Sequence, residues 1–299
     1  KIAVGYRHAC AILDNDKMKC WGYGATGALG YENTTTYGDN AGEMAALAYI
    51  NLNTLGNIPT AITAGLDITC AKLNSTPVTT KCWGQNASGQ IALQAGTNVA
   101  PSDVVGNQAG EMGDPLTPVS LGTGTTITSS SAGYDFICHI RNDNKLYCFG
   151  DNNYGRMNLG QPAHMGDDID EMGSFLTKVN VGTGLVVSKV SVGYQHACAV
   201  MTTGQLKCWG RNQYGQLGLE DIVNRNTQAQ MGDSLPFVNL GSGRTVKEVS
   251  AGAYHTCAIL DNDLVKCWGR NNGGQLGYGN TTTRGNNNTT GAMGNSLGT

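Results

Sequence analysis

Short apolar runs, each bounded by Gly, Asn, Asp, Ser or Thr, recur along the whole chain. None approaches the ~18 consecutive apolar residues of a membrane-spanning helix. In the last complete copy the pattern predicts four short strands: Phe237–Leu240, Lys247–Ser250, His255–Leu260 and Leu264–Trp268. Asp261-Asn-Asp263 separates the final two, and Asn142-Asp-Asn144 and Thr202-Thr-Gly204 hold the same place elsewhere. A three-residue hairpin loop needs its last residue in the left-handed region, which Gly, Asn and Asp tolerate best. Counting outward from such a loop sets Leu260 opposite Leu264 and Cys257 opposite Cys267. Opposed residues have Cα atoms ~4.5–5.5 Å apart, within reach of a disulfide.

The same arithmetic runs through the chain. Ten cysteines fall into five pairs: Cys10/Cys20, Cys70/Cys82, Cys138/Cys148, Cys198/Cys208 and Cys257/Cys267. The first cysteine of a pair returns after 60, 68, 60 and 59 residues. A period near 60 residues with several strands per unit marks a repeat architecture. The expected fold is therefore all-β: a β-propeller of four-stranded blades, five repeats present, within one domain or fragment spanning 1–299. Repeat cores are expected near 1–30, 58–93, 127–160, 185–218 and 245–279, with 280–299 a flexible Thr/Asn/Gly-rich connector leading into a next strand. One unit cannot cover both its faces, so Ile, Val, Leu and Trp side chains are expected to pack between neighbours. Met44, Met112, Met172, Met231 and Met293 recur at one repeat position and read as gap-fillers.

Composition sharpens this picture. Charged residues are only 14% of the chain, against roughly 25% in ordinary domains. Glycine supplies 43 residues, about twice its usual share. A net charge of −3 offers no basic footprint for nucleic acid. The first residue is Lys1 rather than methionine, which reads as a mature product or a fragment. Five cysteine pairs point to an oxidising compartment, hence to an extracellular or cell-surface location.

Three motifs carry a family resemblance. One is the core Gly5-Tyr-Arg-His-Ala-Cys10, repeated as Gly193-Tyr-Gln-His-Ala-Cys198 and Gly252-Ala-Tyr-His-Thr-Cys257. The second is Trp-Gly after the second cysteine, at Trp21, Trp83, Trp209 and Trp268, with Phe149 in the third copy. The third is the tail Arg211-Asn-Gln-Tyr-Gly-Gln-Leu-Gly218 and its counterpart Arg270–Gly277. The chain resembles the regulator of chromosome condensation repeat family over essentially its whole length. That resemblance implies a β-propeller, usually seven-bladed, whose loops bind other proteins. No residue of this chain matches a motif that would carry over an exchange-factor role. Three arrangements fit the repeat count: five consecutive blades of a longer ring, a five-bladed ring, or open ends that pair with another copy.

The remaining candidate chemistry is thin. His-x-Cys occurs at His8, His196 and His255, but Ile68 and Phe136 fill the slot in the other copies, and the cysteine spacing is wrong for zinc. Gly22–Gly27 and Gly294–Gly298 imitate dinucleotide and nucleophile motifs yet are pieces of the repeat, so no catalytic or cofactor-binding residue is assigned. Glu43, Glu111, Asp114, Asp167, Asp168, Asp170, Glu171 and Asp233 are the only candidates for calcium; solvated turns and caps are the preferred reading. Asn33, Asn74, Asn86, Asn280, Asn287 and Asn288 form Asn-x-Ser/Thr sites in expected turns and tails. The expectation is a non-enzymatic, disulfide-stapled extracellular protein-interaction or structural scaffold that binds proteins or copies of itself, with a self-assembling surface or filament role as one form of it, and with no nucleic acid and no membrane insertion. The alternatives are a regulatory propeller that binds a small GTPase or chromatin, and a lectin or enzyme with a site at a central channel.

Overall fold

A computed structural model describes residues 1–53, 55–93, 104–157, 164–168, 170–286 and 293–299. The chain forms five antiparallel sheets in sequence order. Sheet 1 contains β1 (Ile2–Val4), β2 (His8–Ile12) and β3 (Met18–Gly22). Sheet 2 contains β4 (Pro59–Ala64), β5 (Ile68–Leu73), β6 (Thr79–Gln85) and β7 (Val104–Val105). Sheet 3 contains β8 (Ile127–Ala132), β9 (Phe136–Arg141), β10 (Leu146–Asp151) and β11 (His164–Met165). Sheet 4 contains β12 (Val187–Val192), β13 (His196–Met201) and β14 (Leu206–Gly210). Sheet 5 contains β15 (Val246–Ala251), β16 (His255–Leu260) and β17 (Val265–Gly269). Two compact units divide the chain: Lys1–Ile137 with Phe149–Asp151 and His164–Leu176, and Cys138–Cys148 with Asn152–Ala163 and Thr177–Thr299.

The hairpin register follows from the loop. Asp16, Asn144, Gly204 and Asp263 close the loop at φ of 59°, 59°, 81° and 65°. Cys10 then faces Cys20, Cys198 faces Cys208 and Cys257 faces Cys267, and the longer loop of sheet 2 still sets Cys70 opposite Cys82. All five pairs are joined as disulfides with Cα atoms 4.1 Å apart.

The fourth strand differs from expectation. Phe237–Leu240 is not a strand. Pro236 lacks an amide N–H, and the segment instead lies along sheet 4, where Val238 N–H donates to Leu206 O at 2.8 Å. The fourth position is filled after the third strand, by β7 in sheet 2 and β11 in sheet 3. In sheets 1, 4 and 5 it shrinks to the bridges Gly22–Tyr37, Gly210–Arg225 and Gly269–Arg284.

Two glycines of the repeat are steric requirements. A Cβ on Gly193 would lie 2.3 Å from Gly252 O of the next sheet, and one on Gly5 would lie 2.2 Å from Gly65 O. The Trp-Gly glycine takes φ of 101° at Gly210, where a Cβ would lie 2.6 Å from Gln195 O. The tail motif is held by its own amides. Asn212 Oδ1 accepts from Leu217 N–H and Gln216 Oε1 from Tyr214 N–H, both at 2.9 Å. Asn271 and Gln275 repeat both bonds. Local bonding of this kind fixes a turn without help from the core.

Neighbouring sheets within a unit are joined by polar seams beside apolar contacts. Trp83 Nε1–H donates to Ala28 O, Trp209 Nε1–H to Arg156 O and Trp268 Nε1–H to Gln216 O, at 2.8–3.0 Å. Around Trp268 the core of the second unit gathers Val200, Leu206, Leu217, Val238 and Met293. Met112, Met172, Met231 and Met293 are buried fillers, whereas Met44 is exposed on the short helix α1 (Glu43–Ala46).

Candidate interaction surface

One rim of each sheet is built from two loops. The turn before the second strand meets the segment after the third, because the residue following Trp-Gly or Phe-Gly donates its N–H back to that turn. Tyr23 bonds Arg7 O, Gln85 bonds Asp67 O, Asp151 bonds Asp135 O, Arg211 bonds Gln195 O and Arg270 bonds Tyr254 O, at 2.8–3.0 Å. The backbone is constant, so the side chains on this rim are free to differ.

In the second unit that rim is aromatic and cationic. The Arg211 guanidinium lies over Tyr154 at 4.8 Å, and Arg270 lies over Tyr214 at 5.2 Å and Tyr254 at 5.6 Å. Tyr254 also packs against Tyr194 at 5.3 Å and Tyr214 at 5.4 Å between ring centroids. Arg211 donates to the Gln195 and Gln213 side-chain carbonyls. Burial, then the neighbouring Tyr194, raises the Tyr254 phenol pKa. Among the described residues neither arginine forms an ion pair with a carboxylate, so both charges stay available to an acidic partner. The first unit differs: Arg7 lies over Tyr23 at 5.4 Å and has a carboxylate, Asp67, at 3.6 Å. Rigid aromatic side chains and arginine are the residue types that dominate protein-binding hot spots.

Several recurring residues proved structural. His8 Nε2 lies 2.7 Å from Thr69 Oγ1 and His196 Nε2 lies 2.9 Å from Thr256 Oγ1, each across to the next sheet. Burial lowers the His8 pKa to about 4, against a backbone hydrogen bond that raises it, and lowers that of His196 to about 3. Lys81, Lys207 and Lys266, one residue before their cysteines, each give Nζ–H bonds to two backbone carbonyls, one in the connection before the sheet and one in the connection after it. The sequence reading missed these lysines, although their recurrence beside the cysteine was a signal.

The acidic residues weighed as calcium ligands are differently employed. Glu111 Oε2 accepts from Gly106, Asn107 and Gln108 N–H at 2.7–2.9 Å, and Glu171 Oε2 accepts from Gly166, Asp167 and Asp168 N–H. Glu43 does the same for Gly38 and Asn40, and Asp233 accepts from Thr183. Backbone donors aimed at a carboxylate repel a cation, so these are loop clasps. Asp114, Asp168 and Asp170 are exposed. Among the described residues no group of three or more His, Cys, Asp or Glu is placed to hold a metal ion.

Of the glycosylation candidates, Asn86 is buried and its amide bonds Leu93 O and Ile91 N–H, so it is not presented to solvent as a turn residue. Asn33 and Asn280 each accept from the backbone two residues on, and Asn74 accepts from Ile58 N–H. Asn287 and Asn288 lie outside the described residues.

Comparison with known proteins places this architecture. The chain is 25% identical to the ultraviolet-B receptor UVR8 of Arabidopsis thaliana over 324 residues, covering 93% of this chain and 67% of the receptor. It is 31% identical over 150 residues to the X-linked retinitis pigmentosa GTPase regulator of Mus musculus, covering 49% of this chain and 13% of that protein. Yeast RCC1 (Prp20), solved bound to Kap60, superimposes with a TM-score of 0.66 at 18% identity over 90% of this chain and 55% of that one. Human WBSCR16 gives 0.68 at 15% identity over 90% of this chain and 61% of that one. The chain thus spans little more than half of these solved chains. No helix among the described residues is long and apolar enough to cross a membrane.

These findings correct the placement outside the cell. The expected secreted, extracellular scaffold was inferred from paired cysteines, low charge and the lack of a coherent catalytic set. The relatives instead include a GTPase regulator and the yeast protein described by its binding to Kap60, Gsp1p and histones. The surface or filament role drawn from that placement falls with it. Residues 1–27, 127–156, 187–216 and 246–275 match a family model described as regulator of chromosome condensation (RCC1) repeat, and residues 203–259 match a second model of the same description. The matched segments fall on sheets 1, 3, 4 and 5, and the three- to four-stranded antiparallel sheets agree with blades of the regulator of chromosome condensation type.

Proposed function

We propose that this chain is a non-enzymatic regulatory propeller that binds a small GTPase inside the cell through the Tyr154–Tyr194–Tyr214–Tyr254 rim. The observation that carries the reading is the pair Arg211 and Arg270, each placed over tyrosine rings with no carboxylate partner among the described residues. Stacking preorganises each guanidinium, so little side-chain freedom is lost when it meets a carboxylate. The tyrosines add area at low entropic cost. Similarity to a GTPase regulator over about half the chain supports the choice of partner.

Calorimetric titration of the protein with a panel of small GTPases, each nucleotide-free and bound to GDP or GTP, tests the proposal. Saturable binding to at least one, weakened tenfold or more by Arg211→Ala with Arg270→Ala, is expected. Absence of binding across the panel, or binding indifferent to both substitutions, refutes it.

A further inference from the structure

Between β4–β6 of sheet 2 and β8 of sheet 3 the repeat's apolar pattern is broken. Two residues after the first cysteine and two before the second, the hairpins set a cross-strand pair. It is Ile12–Met18 in sheet 1, Val200–Leu206 in sheet 4 and Ile259–Val265 in sheet 5. Sheet 3 carries Ile140 and Leu146 at these positions, both buried. Sheet 2 carries Lys72 opposite Thr80. The facing strand changes with them: its fourth residue is Ile62 in β4, Val190 in β12 and Val249 in β15, but Ser130 in β8. Between sheets 4 and 5 the three positions close on one another, Val200 and Leu206 in the buried core with Val249 packed against it.

In the first unit the exchange leaves a cavity of about 250 Å³, lined by Thr63, Lys72, Thr80, Thr128, Ser129 and Ser130. Thr128 and Ser129 are exposed at its mouth, whereas Thr80 is buried. Thr63 is already committed, because its hydroxyl donates to Ser130 O at 3.0 Å. The Thr80 Oγ1 is buried with no hydrogen-bond partner. Lys72 is half-buried, and no acidic side chain among the described residues lines the cavity with it. An unpartnered buried hydroxyl is costly, and a cation drawn out of water calls for a counter-charge. The three polar residues thus give up the apolar contact of the other seams and gain no partner within the chain. Sites of function are where such local rules are broken.

We propose that this cavity binds a small tetrahedral oxyanion of the phosphate class, either free or as the end group of a small phosphomonoester. The anion accepts from Lys72 Nζ–H and Thr80 Oγ1–H, with the Ser129 hydroxyl at the mouth. Hydrogen bonds from an ammonium to an anionic oxygen are among the strong ones. The volume falls just below the ~300–1,000 Å³ of pockets for drug-sized ligands, which suits a group of a few heavy atoms. The site lies in the first unit and does not rest on the tyrosine and arginine rim.

Calorimetric titration with inorganic phosphate, at an ionic strength held constant with chloride, tests the proposal. Saturable binding with half-saturation at or below ~1 mM is expected. Lys72→Met should weaken it about tenfold or more, and Thr80→Val, which removes only the hydroxyl, about fivefold. Glycerol phosphate as a second titrant separates the two sources: binding at least as tight as that of inorganic phosphate assigns an ester end group, and binding of inorganic phosphate only assigns the free anion. Lys72→Ile together with Thr80→Leu installs the apolar pair of sheet 3. That variant should lose phosphate binding while its thermal midpoint without phosphate stays at or above that of the parent. No saturable binding of either titrant, binding indifferent to Lys72→Met or to Thr80→Val, or binding retained by the paired variant overturns the proposal.

Discussion

His8 and His196 are folded as neutral imidazoles, and that has a pH consequence of definite sign. Burial depresses their folded pKa values to about 4 and about 3, from 6.5 in an unfolded chain. Their contribution is complete above pH 6.5 and is lost as pH falls from there towards 4 and then 3, because the unfolded state binds the proton first. Each histidine weakens the fold by a few kcal/mol across its window. Urea midpoints should be flat from pH 8 to about 7 and fall steeply below about 6; a flat profile down to pH 4 would show these rings solvated. Lys207 makes a similar argument without titration. Its ammonium satisfies Val181 O and Gly232 O in a buried site, and Lys207→Met strands both carbonyls. A loss of roughly 1–3 kcal/mol is expected in chemical denaturation. Lys189 is the surface control: it pairs with Glu248 in solvent, and its replacement should cost under about 1 kcal/mol.

At the scale of the element, the hairpins were the most legible part of the molecule. Loop chemistry and cysteine spacing both report local geometry, so Cys257 opposite Cys267 followed from counting. The fourth strand was not legible: alternation in Phe237–Leu240 looks like a strand, but Pro236 and Gly241 hold it as a coil against Leu206. The glycine of the core motif shows why a repeat can be read where a contact cannot. Gly193 is written in the sequence, whereas Gly252 O at 2.3 Å from its would-be Cβ belongs to the next sheet. Gly193→Ala should destabilise by several kcal/mol or prevent folding, while Ser242→Ala in an exposed turn should change the thermal midpoint little; equal effects would contradict the close packing of sheets 4 and 5. The disulfides lie on strands already registered by their loops. Reduction should lower stability by at most about 3 kcal/mol per pair and leave the β-sheet circular dichroism intact at room temperature; loss of that signal would mean the bonds, and not the loops, set the register.

For the whole molecule, the repeat was evident and the partner was not. Five cysteine pairs pointed outside the cell, and the relatives overturned that. The rim was hidden for a physical reason. Tyr154, Arg211, Tyr214 and Tyr254 come from three successive repeats and meet only because the tail of each sheet bonds back to its own turn. No spacing rule along the chain gathers them. The central claim is that this rim is where a partner binds. Hydrogen–deuterium exchange of the protein with and without a bound small GTPase tests that most directly. Protection concentrated at residues 193–196, 211–216, 252–255 and 270–275 is the predicted result. Protection confined to the opposite hairpin loops, at 202–204 and 261–263, or no protection at all, would contradict the account.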